Sequence, residues 1–212
     1  MQTVQSLNCI RRPGSSSGIR GHQVNWIHNR LCRSGRWRRT VEHRLPWALA
    51  HVDLGAEVLE LGPGPGLTTD LLRKRVQHLT TIEIDGRLAE SLTARLHGSN
   101  VQVVKGDATE MPFANAQFSS TVCFTMLHHV HTPSLQNQLF REVWRVLRPG
   151  GAFVGADSLQ SLFMRLIHIR DTLVPILPDT LGDRLQAAGF QVMAIEQNSE
   201  ALRFHARRPV AS

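Results

Sequence analysis

The sequence predicts an α/β fold: a seven-stranded, mostly parallel sheet with helices on both faces and an antiparallel hairpin at its C-terminal end. Three observations carry that expectation. From residue 56 onward, short apolar runs alternate with helical patterns, the mark of βαβ units joined by right-handed crossovers. Phe118–Thr125 is apolar or small at nearly every position, as a strand buried on both faces requires. Phe190–Glu196 and Ala201–Ala206 flank the polar connection Gln197-Asn198-Ser199, which favours a hairpin.

The elements follow in order. Residues 1–22 read as a basic, irregular tail, with Gly14-Ser15-Ser16-Ser17-Gly18 as a flexible patch and Pro13 stopping any helix. Its Arg-rich, acid-free composition also resembles a transit peptide. Residues 23–50 form a helical cap segment: Val24, Ile27 and Leu31, then Val41, Leu45 and Leu49, recur at helical spacing. Pro46 is expected to kink or divide it. The body, residues 51–212, begins with a strand over Ala56–Leu61, a helix over Leu67–Val76 and a strand over Leu79–Ile84. A helix over Arg87–Leu96 leads to a strand over Val101–Lys105. After Phe118–Thr125, Ser134–Leu147 is an amphipathic helix carrying Leu135, Leu139, Val143 and Leu147 on one face. Arg148-Pro149-Gly150-Gly151 ends it and turns the chain into a strand over Ala152–Ala156. Helical patterns over Leu159–Asp171 and Asp179–Ala188 precede the hairpin.

Composition narrows the classes. The chain has 212 residues, 42% hydrophobic, enough for one ordinary core. No apolar run approaches the roughly 18 residues that cross a bilayer. A cytoplasmic body without a membrane span is therefore expected. Cys9, Cys32 and Cys123 are few and widely spaced, which argues against a disulfide framework and excludes a zinc ribbon. The net charge of +7 is not evenly spread. Residues 1–45 hold nine arginines against one acid, Glu42, so the basicity belongs to that segment and the body is near neutral. Nucleic acid could be met only there.

Chemistry concentrates at the ends of the expected strands, where α/β sheets bind ligands. The first βα loop reads Glu60-Leu61-Gly62-Pro63-Gly64-Pro65-Gly66. A dinucleotide fingerprint needs its third glycine at position 67, which is Leu67, and no Gly-Lys-Ser/Thr follows for a phosphate loop. Glu83 ends the second strand, where a carboxylate can accept both hydroxyls of a ribose. Asp107 follows the third strand, placed to accept from an adenine amino group beside the Ala108 backbone. Each acid alone is as readily a solvated loop residue or a cap; together beside a glycine turn they point to an adenosine.

Val58–Leu72, Thr81–Asp85, Gly106–Phe113, Thr125–Val130 and Arg145–Gly151 together resemble the class I methyltransferases, in particular the type 11 or ubiquinone/menaquinone-type family. The resemblance implies a Rossmann-like fold and S-adenosyl-L-methionine as cofactor, with S-adenosyl-L-homocysteine as product. It places Gly62, Gly64 and Gly66 under the methionine part and brings Glu60 to its amino group. Glu83 would meet the ribose, Asp107 and Ala108 the adenine, and Cys123 to Thr125 the lip near the sulfonium. The acceptor implied is a small molecule. The glycine loop and Ile82-Glu83-Ile84-Asp85 also resemble ribosomal-RNA adenine dimethylases, which an Arg-rich N-terminus would suit. Those enzymes carry an Asn-Leu/Pro-Pro-aromatic motif after strand four; Phe124-Thr125-Met126-Leu127-His128-His129 stands here instead. Many relatives also begin strand four with Phe-Asp, where this chain has Phe118-Ser119.

A sulfonium methyl is already activated, so the protein has mainly to align donor and acceptor and exclude water. A general base is needed only if the acceptor loses a proton. His128 and His129, with His131 nearby, are the candidates, and the plain alternative is a histidine closing the pocket floor. Their spacing fits no usual zinc pattern, and no metal is expected. Trp26, Trp37, Trp47, Phe163, Met164 and Leu173 are expected around an apolar acceptor pocket.

Overall fold

The computed structural model describes residues 34–159, 166 and 172–210. The tail, the first half of the cap segment and most of the helix expected over Leu159–Asp171 lie outside the described residues, and with them Trp26, Phe163 and Met164.

Seven strands form one sheet: β1 (Glu57–Leu61), β2 (His78–Glu83), β3 (Val101–Lys105), β4 (Phe118–Phe124), β5 (Leu147–Ser158), β6 (Gln191–Gln197) and β7 (Ala201–Arg207). Their spatial order is β3-β2-β1-β4-β5-β7-β6. The first five run parallel, and β7 lies antiparallel between β5 and β6. The helices are α1 (Gly35–Ala48), α2 (Leu67–Leu72), α3 (Gly86–Leu96), α4 (Pro133–Val146) and α5 (Pro178–Ala187). The chain steps outward from β1 to β3 and then returns to lay β4 against the other side of β1. That reversal opens a crevice beyond the C-terminal ends of β1 and β4.

Successive strand residues face opposite sides of the sheet, so each strand feeds two cores. Leu59, Leu61, Ile82 and Phe153 pack with Leu139, Phe140 and Val143 of α4 and Leu181 and Leu185 of α5. Val58, Leu79, Val122 and Val154 pack with Leu72 and with Leu45 and Leu49, so the end of α1 shares a core with the sheet. Short polar side chains start the helices. Ser34 accepts from the Trp37 amide, Asp85 from those of Arg87 and Leu88, and Thr132 from that of Leu135.

Three boundaries differ from the sequence reading. Pro46 lies inside α1 and does not divide it, because the helix ends two residues later and little of its ladder depends on the missing N–H. Helix α2 stops at Leu72, short of Val76. The Asn100 side-chain amide donates to the carbonyls of Arg73 and Val76 at 2.9 Å each, satisfying groups that a longer helix would have used. Strand β5 begins at Leu147, where the helix was expected to end and the turn Arg148–Gly151 to follow. Its register against β4 shifts between Phe118 and Ser120, and Gly150 and Gly151 pair with Arg208 across the sheet. Ser119, in place of the usual acid, binds the start of β1: its hydroxyl lies 2.8 Å from the Leu54 carbonyl and accepts from the Glu57 amide at 3.1 Å.

Candidate active site

The glycine turn leaves β1 with its backbone left-handed at Gly62, Gly64 and Gly66, whose φ values are +60°, +56° and +85°. Any other residue would be strained there. A Cβ on Gly62 would stand 2.4 Å from Met126 Cγ, so this glycine also permits close packing between the turn and the segment after β4. A Cβ on Gly64 would meet nothing within 4 Å. The Gly64 backbone therefore borders open space.

That space is a cavity at the switch point, lined by the Gly62–Pro65 turn, Glu83 and Asp85, Asp107 and Ala108, and Thr125 and Met126. His129 and His131 line it after β4, and Trp37 and Val41 of α1 line it as well. Its walls include three carboxylates and, among the described residues, no lysine or arginine.

The three acids singled out from sequence take different places. Glu60 is buried within β1, 1% exposed, and is not part of the cavity wall. Its carboxylate accepts from the hydroxyls of Thr68 and Thr69 at the start of α2, the latter at 2.7 Å. Burial pushes its pKa up to about 7, against the pull of those two bonds. Glu83 does border the cavity; Oε2 accepts from the Gly64 amide at 3.0 Å and Oε1 from the Asp85 amide at 2.9 Å. Burial raises its pKa, and these amides oppose the rise. Asp107 also borders the cavity, its Oδ1 accepting from the amide and hydroxyl of Thr109 at 2.8 Å each, which leaves Oδ2 for a ligand.

The residues after β4 divide as well. Cys123 is 1% exposed and lies in the core, not on the cavity wall. Burial drives its thiol pKa well up, with the Asp157 and Glu60 carboxylates adding, so it remains a thiol and packs as a small apolar residue. Thr125 borders the cavity with φ +51°, a strained conformation for a β-branched residue, while its amide donates to the Ala156 carbonyl at 2.8 Å. His128 turns away: it is 3% exposed, and its Nδ1 lies 2.5 Å from Asp157 Oδ1. His129 faces the cavity. Sequence reasoning missed Asp157, although an acid directly after the apolar strand Ala152–Ala156 was its visible signal.

Other residues act at a distance. The Arg145 guanidinium donates to the carbonyls of Met111 and Phe113 at 3.0 and 2.7 Å and pairs with Glu142, tying down the loop that follows Asp107 and Ala108. Trp47 does not border the cavity; the Arg203 guanidinium lies 5.2 Å over its ring. Among the described residues, no His, Cys, Asp and Glu side chains gather as a metal-holding group, and no helix is long and apolar enough to cross a membrane.

The sheet is Rossmann-like, with a glycine turn after β1 and carboxylates after β2 and β3 facing one cavity, the fold that the resemblance to the class I methyltransferases implied. Residues 59–155, a little under half of the chain, match the family model described as a methyltransferase domain. An S-adenosylmethionine-dependent methyltransferase of Mycolicibacterium smegmatis is 28% identical over 151 residues, covering 68% of this chain and 55% of the relative. The ubiquinone biosynthesis O-methyltransferase of Xanthomonas oryzae is 32% identical, covering 62% of this chain and 63% of that one. A ribosomal RNA small subunit methyltransferase A of Thermococcus onnurineus is 46% identical over 56 residues, 26% of this chain and 21% of its own. The chain thus spans less than two thirds of the length of each of these relatives. Among solved structures, a Haloferax volcanii methyltransferase in complex with the Trm112 activator shares the fold. Its TM-score is 0.69 at 15% identity, covering 86% of this chain and 97% of that one.

Proposed function

We propose that the protein is a cytoplasmic enzyme that transfers a methyl group from S-adenosyl-L-methionine to a small-molecule acceptor, leaving S-adenosyl-L-homocysteine. One observation carries the reading: the cavity wall has three carboxylates, Glu83, Asp85 and Asp107, and no lysine or arginine among the described residues. Such a wall repels phosphates and suits a ligand that is cationic and rich in hydroxyl and amino donors. An adenosine joined to an amino acid through a sulfonium is that kind of ligand, and the open space at Gly64 is where its backbone-facing part fits.

When bound, that cofactor supplies an electrophilic methyl group. The chain's own residues then have binding and alignment to perform. Glu83 retains lone pairs for the ribose hydroxyls beside its two amide bonds, and Asp107 Oδ2 with the Ala108 backbone is placed for the adenine edge. Glu60 acts through Thr68 and Thr69, holding the start of α2 under the glycine turn. Thr125 and Met126 form the wall between the turn and the reactive end, and His129 is the imidazole placed to take an acceptor's proton.

A small acceptor is favoured because Trp37, Val41, Met126 and Val130 give the cavity an apolar end, and because Phe124-Thr125-Met126-Leu127 offers no Asn-Pro pair to hold an adenine amino group. An RNA acceptor is the second reading, supported by the arginines of residues 1–45 and by the short match to the archaeal ribosomal RNA enzyme. Incubation with methyl-labelled cofactor and a fractionated cell extract separates the two. Label in the small-molecule fraction is expected; label confined to RNA overturns the acceptor assignment.

A further inference from the structure

We infer that Asp157, acting through His128, is a positioning residue that holds the turn after β4 so that the His129 imidazole faces the cavity. The consequence for catalysis rests on the methyl-transfer reading; the geometry does not.

Asp157 is the last residue but one of β5 and is 2% exposed. A buried carboxylate is costly unless its lone pairs are filled. Three donors fill them here. Oδ1 accepts from the His128 ring at 2.5 Å and from the Ser158 amide at 2.7 Å, and Oδ2 accepts from the His128 amide at 3.2 Å. A carboxylate can only accept, so the ring proton sits on Nδ1 and the tautomer of His128 is fixed.

One side chain thus grips both the ring and the backbone of His128, in the middle of the 3-10 turn Leu127–His129. The turn is held from two further sides. The Gln136 side-chain amide donates to the Leu127 carbonyl at 3.0 Å, and the His128 carbonyl accepts from the Val174 amide at 2.8 Å. Against this fixed ring lies the His129 ring, centroids 4.2 Å apart and tilted by 40°. His129 is the member of the pair that borders the cavity, and the strained Thr125 lies at the start of the same segment. Two packed apolar side chains would hold this fold at lower desolvation cost. What a charged, tautomer-fixing pair adds is direction: it sets where the next ring points.

The test compares wild type with Asp157→Asn, which keeps the shape and removes the charge. Long-range proton–nitrogen NMR of the histidine rings in the full chain is the deciding readout, because a purely structural contact at Asp157 would leave the His129 ring signal where it is. In wild type His128 is expected as the Nδ1-protonated tautomer with a far-downfield proton, and His129 as one sharp ring signal. Asp157→Asn is expected to lose the downfield proton and to shift or split the His129 signal. Label transfer into the small-molecule fraction should then fall about a hundredfold, as misplacement of a reacting group allows. Affinity for S-adenosyl-L-homocysteine should stay near wild type, while the melting temperature falls, because the Asn amide turns a donor toward a donor. An unchanged His129 signal and unchanged transfer overturn the inference. His128→Gln cuts the same link from the ring side and decides the question by the same His129 signal if Asp157→Asn does not fold. Failure of wild type to bind S-adenosyl-L-homocysteine would count against the methyl-transfer reading alone, because the His129 signal is measured without ligand.

Discussion

The Glu83 carboxylate clasps the Gly64 amide at 3.0 Å, joining the end of β2 to the middle of the glycine turn. With its other oxygen on the Asp85 amide, it fixes two edges of the cavity at once. Replacing it by alanine leaves both amides without that acceptor. Hydrogen bonds to charged groups contribute about 1.5–3 kcal/mol each. Glu83→Ala should therefore weaken S-adenosyl-L-homocysteine binding at least about tenfold by calorimetry. Wild-type affinity in the variant would remove Glu83 from the cofactor site.

The glycine turn separates packing from binding. Gly62→Ala drives a Cβ to 2.4 Å from Met126 Cγ at a left-handed backbone, and overpacking of that kind costs about 1–3 kcal/mol beyond the backbone strain. Gly64→Ala carries only the strain, about 1–2 kcal/mol, because its Cβ enters open space. Chemical denaturation should thus find Gly62→Ala the less stable of the two. Calorimetry should find cofactor affinity impaired in Gly64→Ala, whose methyl occupies the cavity.

Glu60 makes stability depend on pH in a direction opposite to an ion-paired acid. Its pKa rises from 4.5 to about 7 on folding, so the folded state favours the protonated form. That contribution is whole below pH 4.5 and is lost as pH rises toward 7. Over the window the loss is about 3 kcal/mol for a shift of this size. Urea midpoints across the same range should fall less steeply for Glu60→Gln than for wild type. Equal slopes would contradict the burial argument.

Arg145 belongs to the segment Arg145–Gly151 that carried much of the sequence resemblance, yet it touches no cavity atom. Its fork spans Met111, Phe113 and Glu142, a geometry that lysine cannot reproduce. Arg145→Lys should cost about 2 kcal/mol of stability, read from denaturant midpoints, because it strips hydrogen bonds from a partly exposed site.

The sheet was legible in sequence because apolar runs of strand length alternate with helical spacings, and each strand boundary in β1 to β4 lies within two residues of its expectation. The start of β5 was not, because Gly150 and Gly151 pair with Arg208, nearly sixty residues away, and local signals show only a helix stop. The end of α2 depends on Asn100 in the same way. At the site, Gly64, Glu83, Asp107, Ala108, Thr125 and His129 reach one cavity, whereas Glu60, Cys123 and His128 point elsewhere. Alternation along a strand decides which neighbour faces the crevice, and spacing alone does not reveal which of two adjacent histidines an acid on the next strand will take.

Whether the cavity takes the cofactor is decided by calorimetric titration of the wild-type chain with S-adenosyl-L-homocysteine. One site per chain is expected, with a dissociation constant on the order of 1–100 μM, in keeping with ordinary substrate affinities, and competition by S-adenosyl-L-methionine. No heat of binding and no competition, from protein that melts cooperatively, would contradict it.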